Sequence, residues 1–226
     1  MTKRAISSIK ASDAIVGYKT YVNLLGRLAK GKKIYSSGMM QEIERAKFAI
    51  GLAKEGKRVS LISSGDSGIY GMAGIALELL KDSEIAIEVI PGVTAASSAA
   101  ASLGAPLIND FAAISLSDLM TEWGDIKKRL EAAAKSDFVT ALYNPKSTKR
   151  IHQLEDAQRI FLKYRKPNTP VGIVKNSRRP DEGITLTTLK GMLQHKIDMT
   201  TIVIIGNSQT FRKGNWMVTP RGYRLK

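Results

Sequence analysis

Residues 63–71, Ser63-Ser64-Gly65-Asp66-Ser67-Gly68-Ile69-Tyr70-Gly71, carry the densest chemical signal in the chain. They follow a short apolar run at 59–62 and precede a helix-like stretch at 72–81. A strand that stops at a glycine-containing turn and restarts as a helix leaves backbone amides bare at the carboxyl edge of a sheet, where open α/β proteins bind ligands. The glycines admit a ligand where a side chain would block it, and Asp66 sets one carboxylate beside that gap. Four more segments put small or polar residues at expected strand ends: Gly92-Val93-Thr94-Ala95, Ser115-Leu116-Ser117-Asp118, Tyr143-Asn144-Pro145 and Asn176-Ser177-Arg178. Any one alone reads as a cap or turn. Several at carboxyl ends of strands point to one ligand edge.

Other chemistries are poorly served. The chain has no cysteine, which removes disulfides, thiolate metal sites and a cysteine nucleophile. His152 and His195, the two histidines, stand far apart in the sequence, so a histidine-based metal site is poorly supported and none is expected. Neither G-x-G-x-x-G nor a Walker A motif is present, against a Rossmann dehydrogenase and a P-loop kinase. No apolar run approaches the roughly 20 residues of a membrane span. Met1-Thr2-Lys3-Arg4 leads into no apolar segment, and a cytoplasmic protein is expected. The net charge of +15 favours a polyanionic partner. The basic residues are scattered, without a nucleic-acid tail or an aromatic stacking strand, so nucleic acid is not expected as that partner.

The elements that must hold these residues alternate between strand and helix, which argues for an α/β architecture. Strands are expected at 14–18, 33–35, 59–62, 85–90, 112–116, 137–143, 171–174, 184–187 and 201–205. Helices are expected at 5–9, 41–54, 72–81, 93–103, 124–135, 148–164 and 189–193. The 41–54 helix is amphipathic, with Ile43, Ala46, Ile50 and Ala53 in phase. The 93–103 helix is built almost wholly of Ala, Ser and Thr, so its backbone can lie close to a ligand or to a sheet. Gly104-Ala105-Pro106 breaks it, and residues 104–111 read as a linker between domains at 1–108 and 109–226.

Taken together, the motifs resemble the tetrapyrrole (corrin/porphyrin) methylases. Ser63-Ser64-Gly65-Asp66-Ser67-Gly68-Ile69-Tyr70-Gly71-Met72 is similar to that family's Gly-Asp-Pro-Gly-Ile-Tyr loop, and Val89-Ile90-Pro91-Gly92-Val93-Thr94-Ala95-Ala96 to its second signature. Within the family, Asp110-Phe111, Ile114-Ser115-Leu116-Ser117-Asp118-Leu119, Leu142-Tyr143-Asn144-Pro145 and Val171-Gly172-Ile173-Val174 with Asn176 resemble the branch that methylates C17 of precorrin-3B or cobalt-factor III.

The resemblance implies two α/β domains with S-adenosylmethionine in a cleft between them. It also implies methyl transfer coupled to ring contraction in cobalamin biosynthesis, and a homodimer. By position, Gly65, Asp66, Ile69, Tyr70, Thr94, Ala95, Leu142, Tyr143 and Asn176 would meet the donor. Ser115 would meet the polycarboxylate tetrapyrrole, and Lys149, Arg150, Arg178 and Arg179 would pair with its acidic side chains. Asp66, Ser117 and Asp118 are the candidates for catalysis. Three departures stand out. The family opens with a strand and a Gly-x-Gly-Pro-Gly loop, whereas this chain starts beyond both, so the first sheet is expected to lack a central strand. Ser67 replaces the usual proline. Asn109 stands where the family commonly places a histidine before Asp-Phe, and it cannot titrate in that residue's place. An RNA ribose methyltransferase, a diphthine synthase or an inactive homologue on the same fold are the alternative readings.

Overall fold

The computed structural model describes residues 1–80 and 84–224. The chain forms two compact units, Met1–Thr94 and Ala95–Lys226. The break falls ahead of the segment read as a linker, because that segment and the preceding helix pack into the second unit.

The first unit is built on a parallel sheet of order β2-β1-β3. Strand β1 (Ala14–Tyr18) runs between β2 (Lys33–Ser37) and β3 (Val59–Ile62). Ala14, Ile15 and Val16 are at most 2% exposed, as expected of a parallel strand covered on both faces. Ile15 packs with Ile9 of α1 (Lys3–Ala11), Val22 of α2 (Lys19–Asn23) and Leu25; Ala14 and Val16 pack with Ala49 and Leu52 of α3 (Glu42–Lys54). The buried face of α3 is Arg45, Ala46, Ala49 and Leu52. Ile43, expected inward, is 48% exposed, because the face turned to the sheet is that of Arg45, Ala46, Ala49 and Leu52. After β3 comes the glycine loop, then α4 (Ala73–Leu80).

Residues 85–90 form no strand, contrary to the expectation from their β-branched composition. Among the described residues β3 is bonded to β1 alone, and this segment does not pair with its other edge. Side chains fasten it instead: Arg4 pairs with Glu88 at 2.6 Å, and Ser67 Oγ donates to the Ile90 carbonyl at 2.9 Å.

The second unit begins with α5 (Ala95–Leu103) and the short strand β4 (Gly104–Ala105). Its main sheet takes the order β5-β6-β9-β7-β8, from β5 (Phe111–Ser115), β6 (Val139–Tyr143), β7 (Pro170–Lys175), β8 (Gly183–Thr188) and β9 (Thr201–Ile205). Strands β5 and β6 are parallel, and β9 is antiparallel to both β6 and β7. Hence β5, β6 and β7 point the same way, and their carboxyl ends share one edge. A hairpin of β10 (Phe211–Lys213) and β11 (Trp216–Val218) pairs with β4. Helix α5 packs against β7 through Leu103, and Gly172 makes room for it: a Cβ there would lie 2.3 Å from Leu103 Cδ1. Helices α6 (Trp123–Lys135) and α7 (Gln153–Leu162) bury Ile126, Leu130, Ala133, Leu154, Ala157 and Phe161, as their spacing predicts, whereas Ile151, expected inward with them, precedes α7 and is exposed. Helix α7 starts later than expected, because Ser147 and Arg150 close a turn through reciprocal bonds of 3.0 Å. No described helix is long and apolar enough to cross a membrane.

Candidate functional site

In the first unit the glycine loop is held by its own polar groups. Asp66 Oδ2 accepts from the Gly92 amide at 2.7 Å and Oδ1 from the Gly68 amide at 2.8 Å. The Gly92 amide, then that of Gly68 and more weakly that of Ile69, hold the carboxyl below its usual range, while burial opposes them. Asp66 therefore works as a staple between residues 65–69 and 91–92, and its lone pairs are already committed to main-chain donors. The two segments touch backbone to backbone: a Cβ on Gly92 would stand 2.0 Å from the Gly65 carbonyl oxygen. Ser63 Oγ accepts from the Met72 amide at 2.9 Å, which closes the loop at its far end.

Gly65 lies at φ 69 and Tyr70 at φ 54. Gly65 and Gly68 are exposed, and Ile69, Tyr70 and Val93 are 42%, 55% and 52% exposed. Bare main chain here lies beside half-open apolar side chains.

In the second unit the ends of β5 and β6 are tied into one web. Ser115 pairs with Tyr143 in the ladder, and Ser115 Oγ accepts from Asn144 Nδ2 at 3.0 Å. Asn144 has φ 49. Arg150 donates from Nε to the Asn144 carbonyl at 3.0 Å and from Nη1 to Ser117 Oγ at 3.3 Å. Arg150 is only 6% exposed, so the expected clamp on substrate is a brace beneath the turn. Burial lowers its pKa, and Asp118 partly offsets this. Asp118 accepts from Gln153 Nε2 at 2.9 Å and remains exposed. The Tyr143 hydroxyl accepts from the Ala96 amide at 3.0 Å, which brings the first turn of α5, beside Ala95, to the same edge. Leu142 is fully buried, so only its main chain could meet a ligand.

The loop after β7 completes that edge. Asn176, Arg178 and Asp181 adopt φ of 50, 55 and 63. Helix α5 holds this loop through Ser98 Oγ and Ser177 Oγ at 2.8 Å. Glu182 accepts from Ser102 Oγ at 2.7 Å and from the Arg178 amide at 2.9 Å, and these donors keep its carboxyl ionised below the usual range. Arg178 is exposed and Arg179 half-buried on this fixed loop, and Lys149 is exposed before Arg150. Glu182, Ser98 and Ser102 escape a motif reading, although the serine spacing of four along a helix marks one face. No cluster among the described residues could hold a metal ion.

Residues 1–192 match the family described as Tetrapyrrole (Corrin/Porphyrin) Methylases. The whole chain is 51% identical to a protein of Priestia megaterium named cobalt-factor III methyltransferase, of whose length it spans 43%. It is 48% identical to one of Salmonella typhimurium named probable cobalt-factor III C(17)-methyltransferase, of which it spans 94%. The crystal structure of the methyltransferase CobJ superposes with a TM-score of 0.90 at 34% identity, over 97% of this chain and 93% of that one. A uroporphyrin-III C-methyl transferase from Thermus thermophilus, solved with S-adenyl homocysteine, shares the fold at a TM-score of 0.71 and 22% identity, over 91% of this chain and 90% of that one.

Proposed function

Because the chain belongs to the tetrapyrrole (corrin/porphyrin) methylases, we propose that it methylates C17 of cobalt-factor III, with contraction of the macrocycle, in cobalamin biosynthesis. The observation that carries this reading is the match along the full chain to the Salmonella protein named probable cobalt-factor III C(17)-methyltransferase, of whose length the chain spans 94%. S-adenosylmethionine, bound as methyl donor, supplies an electrophilic carbon on a sulfonium.

The protein's own part is orientation and exclusion of water. An electron-rich ring carbon needs no strong base to attack a sulfonium methyl, so alignment provides most of the acceleration. Main chain at Gly65, Asp66, Thr94, Ala95, Leu142 and Asn176 would hold the donor's polar groups, and Ile69, Tyr70 and Tyr143 would wall its apolar parts. Ser115 and the braced 115–118 turn would meet the macrocycle. Lys149, Arg178 and Arg179 would pair with its carboxylates, which gives the charge of +15 a specific use. Asp66, braced on three amides, serves geometry, and Ser117 and Asp118 remain the candidates for handling a proton. We read the enzyme as a cytoplasmic homodimer with no nucleic-acid partner.

The test is transfer of an isotopically labelled methyl group from S-adenosylmethionine. Label in cobalt-factor III, and none in ribosomal RNA or in the elongation-factor substrate of diphthine synthesis, is the expected result. Label in RNA alone would overturn the assignment.

A further inference from the structure

Arg45 stands on α3 with only 5% of its surface exposed. Its Nε donates to Ser37 Oγ at 2.9 Å, its Nη2 to the Gly38 carbonyl at 2.6 Å and its Nη1 to Met72 Sδ at 3.8 Å. Its guanidinium carbon lies 5.9 Å from the centre of the Tyr18 ring. Tyr18 closes β1, Ser37 closes β2, and Met72 closes the loop that follows β3. One side chain therefore reaches the carboxyl end of β1, that of β2 and the loop beyond β3.

Among the described residues no carboxylate lies within ion-pair distance of Arg45. A buried cation among neutral groups is costly, and an apolar side chain of similar volume would serve stability better. The planar fork of arginine does what lysine or leucine cannot, since it fixes several acceptors in one plane. The acceptors here belong to two loops of the same kind. The turn opened by Gly38 carries Met40, 71% exposed at φ 64. The loop closed by Met72 carries Tyr70, 55% exposed at φ 54. These are the non-glycine residues of positive φ among the described residues of the first unit. Such backbone persists only where its surroundings over-determine it. Arg45 grips both loops at their bases.

We propose that Arg45 is a positioning residue that clips the 38–41 turn to the 63–72 loop, so that Met40 and Tyr70 present one rigid apolar lip to the ligand. The link to ligand binding rests on reading 63–72 as the donor loop; the clip itself does not. Arg45→Lys keeps the charge and loses the fork. In the ligand-free variant, amide exchange at 38–41 and 66–72 is expected to quicken about tenfold, the equivalent of one charge-assisted hydrogen bond. Exchange in β1 and in the second unit is expected to stay at the wild-type rate. The affinity for S-adenosylhomocysteine is expected to fall by a similar factor. A merely structural role would move stability and exchange everywhere together. Unchanged exchange in the two loops of folded Arg45→Lys would overturn the proposal. If that variant does not fold, Ser37→Ala with Met72→Leu removes two of the grips without touching the charge, and the same two loops must loosen. A wild-type protein that ignores S-adenosylhomocysteine would sink the donor reading, while the exchange result would still judge Arg45.

Discussion

Replacing Gly92 by alanine should damage the first unit's loop pair more than any other single methyl group. The added Cβ would lie 2.0 Å from the Gly65 carbonyl oxygen, 2.9 Å from its carbonyl carbon and 3.1 Å from Asp66 Cα. A comfortable carbon–oxygen contact is about 3.3 Å, so one backbone segment must retreat by about 1.3 Å. All three neighbours are main-chain atoms, and no rotamer change relieves the overlap. The retreat stretches the bond from the Gly92 amide to Asp66, now 2.7 Å, beyond bonding range. Overpacking at about 1–3 kcal/mol and the lost bond to a carboxylate at about 1.5–3 kcal/mol sum to about 2.5–6 kcal/mol. Urea unfolding should show a midpoint lower by more than about 1 M, and titration with S-adenosylhomocysteine should show weakened binding. Gly74→Ala is the internal control: it lies in α4 with nothing within 4 Å of the added Cβ, and it should be neutral or stabilising by about 0.5–1 kcal/mol. If Gly92→Ala matched the wild type in both assays, the close approach of the two loops would be refuted.

The Asp66 staple also predicts a pH signature. Its folded pKa is depressed, so its contribution is full above the unfolded value of about 4 and is lost as pH falls through the lower folded value. The wild type should lose more stability than Asp66→Asn on acidification below about pH 4, and parallel acid titrations of the two would contradict this. In the second unit, Gly172→Ala should cost about 1–3 kcal/mol, because its Cβ would meet the fully buried Leu103 at 2.3 Å. Combination with Leu103→Ala should be less than additive in a double-mutant cycle. Reversing charge at Arg178 and Arg179 should weaken tetrapyrrole binding about tenfold or more at low salt, with the loss shrinking as salt rises and S-adenosylhomocysteine affinity unchanged.

The chain declares some of this and hides the rest. The run from β3 through Gly65 and Asp66 into α4 is legible because strand, turn chemistry and helix are all local, and the same holds for the β6 end at Tyr143-Asn144. The role of Asp66 is not legible. A carboxylate beside a glycine turn reads as free chemistry until the distant Gly92 amide is seen to occupy it. Arg45 is hidden by phase: Ile43 and Ile50 suggest one inward face, and only the choice of Ala46, Ala49 and Leu52 by the sheet turns the arginine inside. Residues 85–90 show the converse: a β-branched run need not form a strand, and here distant side chains hold it, Arg4 at Glu88 and Ser67 at the Ile90 carbonyl. Arg150 and Glu182 were visible as charges, but whether a charge faces ligand or braces a turn depends on groups far away in sequence.

Amide hydrogen exchange with and without S-adenosylhomocysteine tests the central claim most directly, because the claim is that main-chain groups at strand ends grip the donor. Protection gathered at residues 64–71, 92–96 and 142–144, with the outer faces of α3 and α7 unaffected, is the predicted map. Binding that leaves those amides exchanging as before, or that protects a different surface, would contradict it.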